Sequence, residues 1–218
     1  MTITILRKWG LLALFGSIFA INTHGQLFEF GIQMGVGNYK MADLNEINSY
    51  YPSNSEDSKE NAFPVSVYFQ PEIILVYDWI SIGLIYTFQK TEGSIYGFNS
   101  KVNADVVAVK IRGIIREYGN LGIRAYGEIG REYSNLLLSN SSIGVAFKAK
   151  STYVEPGLDF SYKFGTTSLA MNLGYSQQVA SLPFYDPDNV YTIAASGDNK
   201  PNWTGLRIGI SISFMLSK

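Results

Sequence analysis

The sequence predicts an all-β chain: an eight-stranded antiparallel up-and-down transmembrane β-barrel behind a cleavable N-terminal signal peptide. Three observations lead there. Eight stretches alternate between apolar and small or polar residues with a period of two. The connections between them run long, short, long, short, long, short, long. The apolar face of each stretch carries almost no charge, while the opposite face is built from Gly, Ser, Ala, Asn and Tyr with isolated charges.

Residues 1–25 read as the signal peptide: Arg7 and Lys8, then a 13-residue apolar run from Trp9 to Ile21, then small residues at Thr23 and Gly25. That run is short of the roughly 20 residues a transmembrane helix needs. Cleavage after Gly25 leaves a single domain over 26–218. It removes the only histidine, His24, and takes two of the 17 basic residues, leaving 15 against 18 acidic ones, a net charge of −3. With no cysteine anywhere, the mature chain has no disulfide framework and no thiolate chemistry. No basic patch or motif points to nucleic acid.

The strands follow in order. Leu27–Lys40 sets Phe28, Phe30, Ile32, Met34 and Val36 against Glu29, Gly31, Gln33, Gly35 and Gly37. Phe63–Val76 alternates likewise, with Pro71 predicting a bulge or bend because proline cannot donate to a ladder. Ile80–Lys90, Asp105–Arg116, Leu121–Tyr133, Thr152–Phe164, Leu169–Val179 and Trp203–Leu216 complete the set. At about 11–14 residues each, they exceed the ~9–11 residues of a tilted spanning strand. Met41–Ala62, Thr91–Ala104, Ser134–Ser151 and Ala180–Asn202 read as long polar loops; Tyr77–Trp79 reads as a very short link, and Glu117–Asn120 and Gly165–Ser168 as tight turns. The last strand is expected to pair with the first and remove both open edges.

Alternation alone fits a soluble lipocalin-like barrel, apolar inside, as well as a membrane barrel, apolar outside. A water-washed face would be rich in Lys, Glu and Thr, whereas small residues suit the narrow lumen of eight strands, which favours the membrane form. Trp79, Tyr86, Phe88, Tyr133, Tyr162, Phe164, Tyr175 and Trp203 are then expected in interfacial aromatic girdles. The lumen face would hold Lys110, Arg112, Arg116, Arg124, Lys163 and Arg207 against Glu29, Glu72, Glu128, Glu155 and Asp159. Such a balanced set reads as an ion-pair network that fills and shuts the lumen, or as a narrow ion path through the same residues. Arg112, Arg124, Glu128 and Asp159 are expected near mid-barrel.

With the signal peptide, the alternating connections and the terminal stretch Ile210-Ser211-Ile212-Ser213-Phe214 in hand, the chain resembles the OmpA- and OmpX-like porin-family barrels of the Gram-negative outer membrane. The resemblance implies outer-membrane localisation, surroundings of outer-membrane lipid, and a last strand read by the barrel-assembly machinery through Phe214. Four further residues follow Phe214, a departure from a strictly terminal aromatic. The expected role is structural or interactive, through the surface loops and an unknown partner, by a monomer without cofactor or metal. A narrow channel is the alternative, and a soluble ligand-binding barrel is a third reading. An enzyme is not expected, since the mature chain lacks His and Cys. Exposed aromatics make Tyr50 and Tyr51 in the first loop, and Phe184, Tyr185, Asp186 and Asp188 in the last, the candidate contacts. No EF-hand spacing accompanies the aspartates.

Overall fold

The computed structural model describes residues 27–39, 65–95, 98–139, 144–187 and 200–216. The expected signal peptide, Tyr50, Tyr51 and Asp188 lie outside them. Eight strands form one closed antiparallel barrel in sequence order: β1 (Leu27–Tyr39), β2 (Ser66–Tyr77), β3 (Ile80–Ile95), β4 (Phe98–Tyr118), β5 (Leu121–Ser139), β6 (Gly144–Phe164), β7 (Thr167–Ser181) and β8 (Gly205–Leu216). β8 closes on β1 from Phe28↔Leu216 to Tyr39↔Gly205, the pairing expected of the terminal strand.

The turn end of the barrel is made by two-residue hairpins between Tyr77 and Ile80, Tyr118 and Leu121, and Phe164 and Thr167. Each begins with a residue at positive φ, namely Asp78 (50°), Gly119 (57°) and Gly165 (61°). That is the backbone a two-residue turn requires to follow the strand twist. Pro71 makes no bulge. The β2–β3 ladder has no pair at Gln70 and Pro71, yet Phe69↔Phe88 and Glu72↔Ile85 keep one register across the gap. A register shift does occur in β4, between Ile114 and Arg116.

The apolar face points outward. Ile32, Met34 and Val36 on β1, Ile129 on β5, and Leu206, Ile208, Ile210 and Ile212 on β8 are all exposed. The soluble, apolar-inside alternative is therefore excluded: buried in this lumen, at membrane depth, are Glu29, Gln70, Glu72, Lys110, Glu128 and Arg207. Aromatics gather at both margins of the apolar band. Tyr77, Trp79, Tyr118 and Phe164 are exposed at the turn end, and Tyr86, Phe88, Tyr133 and Tyr175 toward the loop end. Trp203 departs from the expected girdle: it is 0% exposed and points inward.

β4, β5 and β6 run to 21, 19 and 21 residues, well beyond the stretches expected from sequence. The segments read as polar loops, Thr91–Ala104 and Ser134–Ser151, are largely strand. Past the apolar band the polarity of the faces inverts while the alternation keeps its phase. On β5, outward Ile129 gives way to exposed Arg131 and Tyr133, and inward Glu128 gives way to buried Leu136. In water, a sheet must bury its apolar side. Inside the loop end, Tyr39, Val102, Ala104, Leu136, Phe147, Ala149, Phe184 and Trp203 accordingly form a hydrophobic cluster.

The seam between β1 and β8 depends on missing side chains. Gly35 and Gly209 face each other. A Cβ on Gly209 would lie 2.2 Å from the Tyr68 hydroxyl, and one on Gly35 would lie 2.2 Å from the Ile208 carbonyl oxygen. Gly209→Val is expected to block closure, read as loss of the compact, faster-migrating species in an unboiled detergent gel after refolding. Full recovery of that species would show that Tyr68 can yield.

Candidate functional site

The lumen is the site the strands build, because period-two alternation delivers one inward side chain from every second residue of eight strands. Its charges lie in layers. In the middle layer, Lys110 sits 3.2 Å from Glu72 Oε2 and 3.4 Å from Glu128 Oε1. Arg207 bonds Glu155 Oε2 at 2.6 Å through Nη1 and Gln70 Oε1 at 2.9 Å through Nη2. Glu128 and Glu155 are directly opposite in the β5–β6 register, an arrangement that would repel were Arg207 not beside both, its Nη1 also 3.9 Å from Glu128 Oε2.

Neutral donors complete this layer. The Tyr126 hydroxyl donates to Glu155 Oε1 (3.0 Å), the Tyr153 hydroxyl to Glu128 Oε2 (3.2 Å), and Gln70 Nε2 to Glu128 Oε1 (3.1 Å). Two cations lie over aromatic faces: Lys110 is 4.5 Å from the Tyr126 ring centroid and Arg207 is 4.0 Å from that of Tyr68. Charges this deeply buried persist only when paired and hydrogen-bonded, and nearly every oxygen and nitrogen here has a partner.

Toward the turn end, Arg112 pairs with Glu29 at 2.8 Å. Asp159, opposite Arg124 in register, accepts instead from Asn172 at 2.6 Å. At the rim, Lys163 meets Glu117 at 2.8 Å, both partly exposed. The Lys163 ammonium, by hydrogen bond and charge, holds the Glu117 carboxyl below its ordinary range. This rim pair's contribution is present above the ordinary carboxylate range and fades as pH falls through the lowered value. Lys163→Gln is expected to change stability by less than about 1 kcal/mol in a urea titration, as for other exposed pairs. A larger loss would mean that the rim is less hydrated than its exposure indicates.

Toward the loop end, Glu132 accepts from Ser134, Ser151 and Gln178 (2.9, 3.0 and 3.1 Å), and Trp203 Nε1 donates to Ser134 at 2.9 Å. This hydrogen-bonded layer lies beneath the hydrophobic cluster.

The structure thus brings together ten of the eleven residues expected in the lumen or at its mouth. The exception is Arg116, which the shift in β4 turns out of the lumen. It is exposed and stacks 4.5 Å over Tyr118, while Glu117 takes the inward place. Of the four residues expected near mid-barrel, Glu128 lies in the middle layer, whereas Arg112, Arg124 and Asp159 lie on the turn side of it. Gln70, Tyr126, Tyr153 and Glu132 were missing from the expected set, although each shares the inward phase of a neighbour that was in it. Of the last-loop candidates, Tyr185 is exposed, whereas Phe184 (6%) and Asp186 (7%) are buried. The segment folds back along β6, with Lys148 and Tyr185 exchanging both backbone hydrogen bonds at 2.8 and 2.9 Å, and this drives Phe184 into the barrel. Phe214 is exposed on the outer face of β8. Among the described residues no group of three or more His, Cys, Asp or Glu side chains could hold a metal ion.

No protein-family model matches the chain, and no curated protein is significantly similar to it. Solved structures are similar. A major outer membrane protein from Thermus thermophilus superposes with a TM-score of 0.53 at 11% identity, over 86% of this chain and 99% of the other. The outer membrane protein OprG from Pseudomonas aeruginosa does so with a TM-score of 0.50 at 12% identity, over 88% and 96%. With an apolar belt turned outward and charge enclosed within, this chain has the fold of the eight-stranded outer-membrane β-barrels.

Proposed function

We propose that the protein is a closed outer-membrane barrel whose role is structural and interactive, carrying a surface for partner contact on a rigid, sealed base. The observation that supports a closed lumen is the middle layer. Lys110, Glu72, Glu128, Arg207, Glu155 and Gln70 span its width, all buried and bonded to one another. The hydrophobic cluster above them forms a second, dry seal. The reading involves no catalytic step, in keeping with the lack of His and Cys in residues 26–218.

The test is planar-bilayer recording of the refolded protein. No steady unitary current is expected for the wild type. Steady currents that substitutions in the Lys110–Glu128–Arg207 layer alter would overturn the closed barrel in favour of a narrow channel.

A further inference from the structure

Among the described residues, Arg124 is a buried lumen cation that no ion pair holds. Arg124 is 7% exposed, yet it makes no ion pair within 4 Å among the described residues, and its Nε has no hydrogen-bond partner. A guanidinium cannot shed its charge, and a buried charge without a partner is costly. Neighbouring groups are already engaged: Glu29 holds Arg112, Glu117 holds Lys163, and Asp159 is bonded to Asn172. Arg124 also lines a cavity of about 830 Å³ at the turn end, together with Arg112 and Lys163 and the carboxylates of Glu29, Asp78 and Glu117. In the same cavity, Glu29 offers a second oxygen, Oε1, that is likewise without a hydrogen-bond partner.

We infer that this vestibule binds a phosphoryl oxyanion, held by Arg124 with Arg112 beside it. The planar fork of an arginine matches phosphate oxygens bidentately. Glu29 Oε1 suits a donor carried next to the phosphoryl group: the P–OH of inorganic phosphate, or the ammonium of an ethanolamine headgroup. Both sources reach the cavity. Its lining includes Tyr77 and Trp79, residues of the interfacial girdle, so lipid phosphates stand at its level, and its turn-end position also puts it within reach of solution ions. The cavity is also far larger than one phosphate, leaving room for the rest of a headgroup.

The experiment is calorimetric titration of the refolded protein in neutral-detergent micelles with inorganic phosphate at constant ionic strength. Saturable binding is expected, tighter than for sulfate, which has no proton to offer Glu29. Affinity should fall at least tenfold in Arg124→Gln and stay unchanged in Arg131→Gln, a substitution on the outer wall. If Arg124→Gln does not fold, Arg124→Lys serves: weaker binding supports the site and unchanged binding overturns it. Repeating the titration in nanodiscs separates the sources. Binding that survives in phosphatidylcholine but is lost in phosphatidylethanolamine identifies the lipid headgroup as occupant; binding that survives in both identifies free phosphate. No saturable binding in micelles, or equal binding by wild type and Arg124→Gln, overturns the inference.

Discussion

Arg207→Ala is expected to destabilise the barrel by about 3–5 kcal/mol, the range for removing one partner of a buried ion pair. The loss exceeds that of one contact because Arg207 serves two carboxylates. Without it, Glu128 and Glu155 face each other across the β5–β6 ladder, and Gln70 and the Tyr68 ring lose their cation. Repulsion between the carboxylates would add to their desolvation. Adding Glu155→Gln should therefore recover a large part of the deficit, since it removes one of the stranded charges. Urea titrations of both variants in the same lipid or detergent check this. If the double variant is no more stable than Arg207→Ala alone, the carboxylate pair is not what Arg207 holds together.

Trp203→Ala is the second large effect, again about 3–5 kcal/mol, as for emptying a fully buried aromatic site. Trp203 packs edge-on against Tyr39, with ring centroids 5.1 Å apart and planes at 80°, and its Nε1 ties the hydrophobic cluster to the Ser134–Glu132 layer beneath it. Trp203→Phe keeps most of the apolar contact and loses the hydrogen bond, so it should cost only about 1 kcal/mol beyond the smaller volume. Fluorescence provides a direct readout, because residues 26–218 contain two tryptophans. Trp79 sits at the outer rim, so the emission lost in Trp203→Phe belongs to the interior. A red-shifted interior component in the wild type would show that the seal is wet.

The phase of every strand was legible because a period of two is written residue by residue. Register slips would have exposed whole rows of charge to lipid, so Glu29, Lys110, Arg112, Glu128 and Arg207 could be set inside from sequence. Strand ends were less legible. Within the lipid band apolar residues face out, whereas above it β4 to β6 turn theirs inward. Val102, Ala104, Leu136 and Phe147 thus resembled loop residues and Trp203 a girdle residue. Arg116 was misplaced by a single extra residue in the ladder, which one sequence does not announce. Phe184 looked like an exposed loop aromatic because its burial depends on Tyr185 pairing with Lys148, a contact between residues far apart in the chain.

The unequal strand lengths have a consequence beyond the core they enclose. β1, β2 and β8 have 13, 12 and 12 residues, while β4, β5 and β6 stand 19 to 21 residues long. Among the described residues the strands therefore end obliquely, like a chimney with one tall side. Seen from above the bilayer, the described strands give the molecule a direction: they rise higher on the β5 side than on the β1 side. Neighbouring copies in a crowded membrane are not equivalent around it, and the face a protomer turns to its surroundings is set by where its strands are tall.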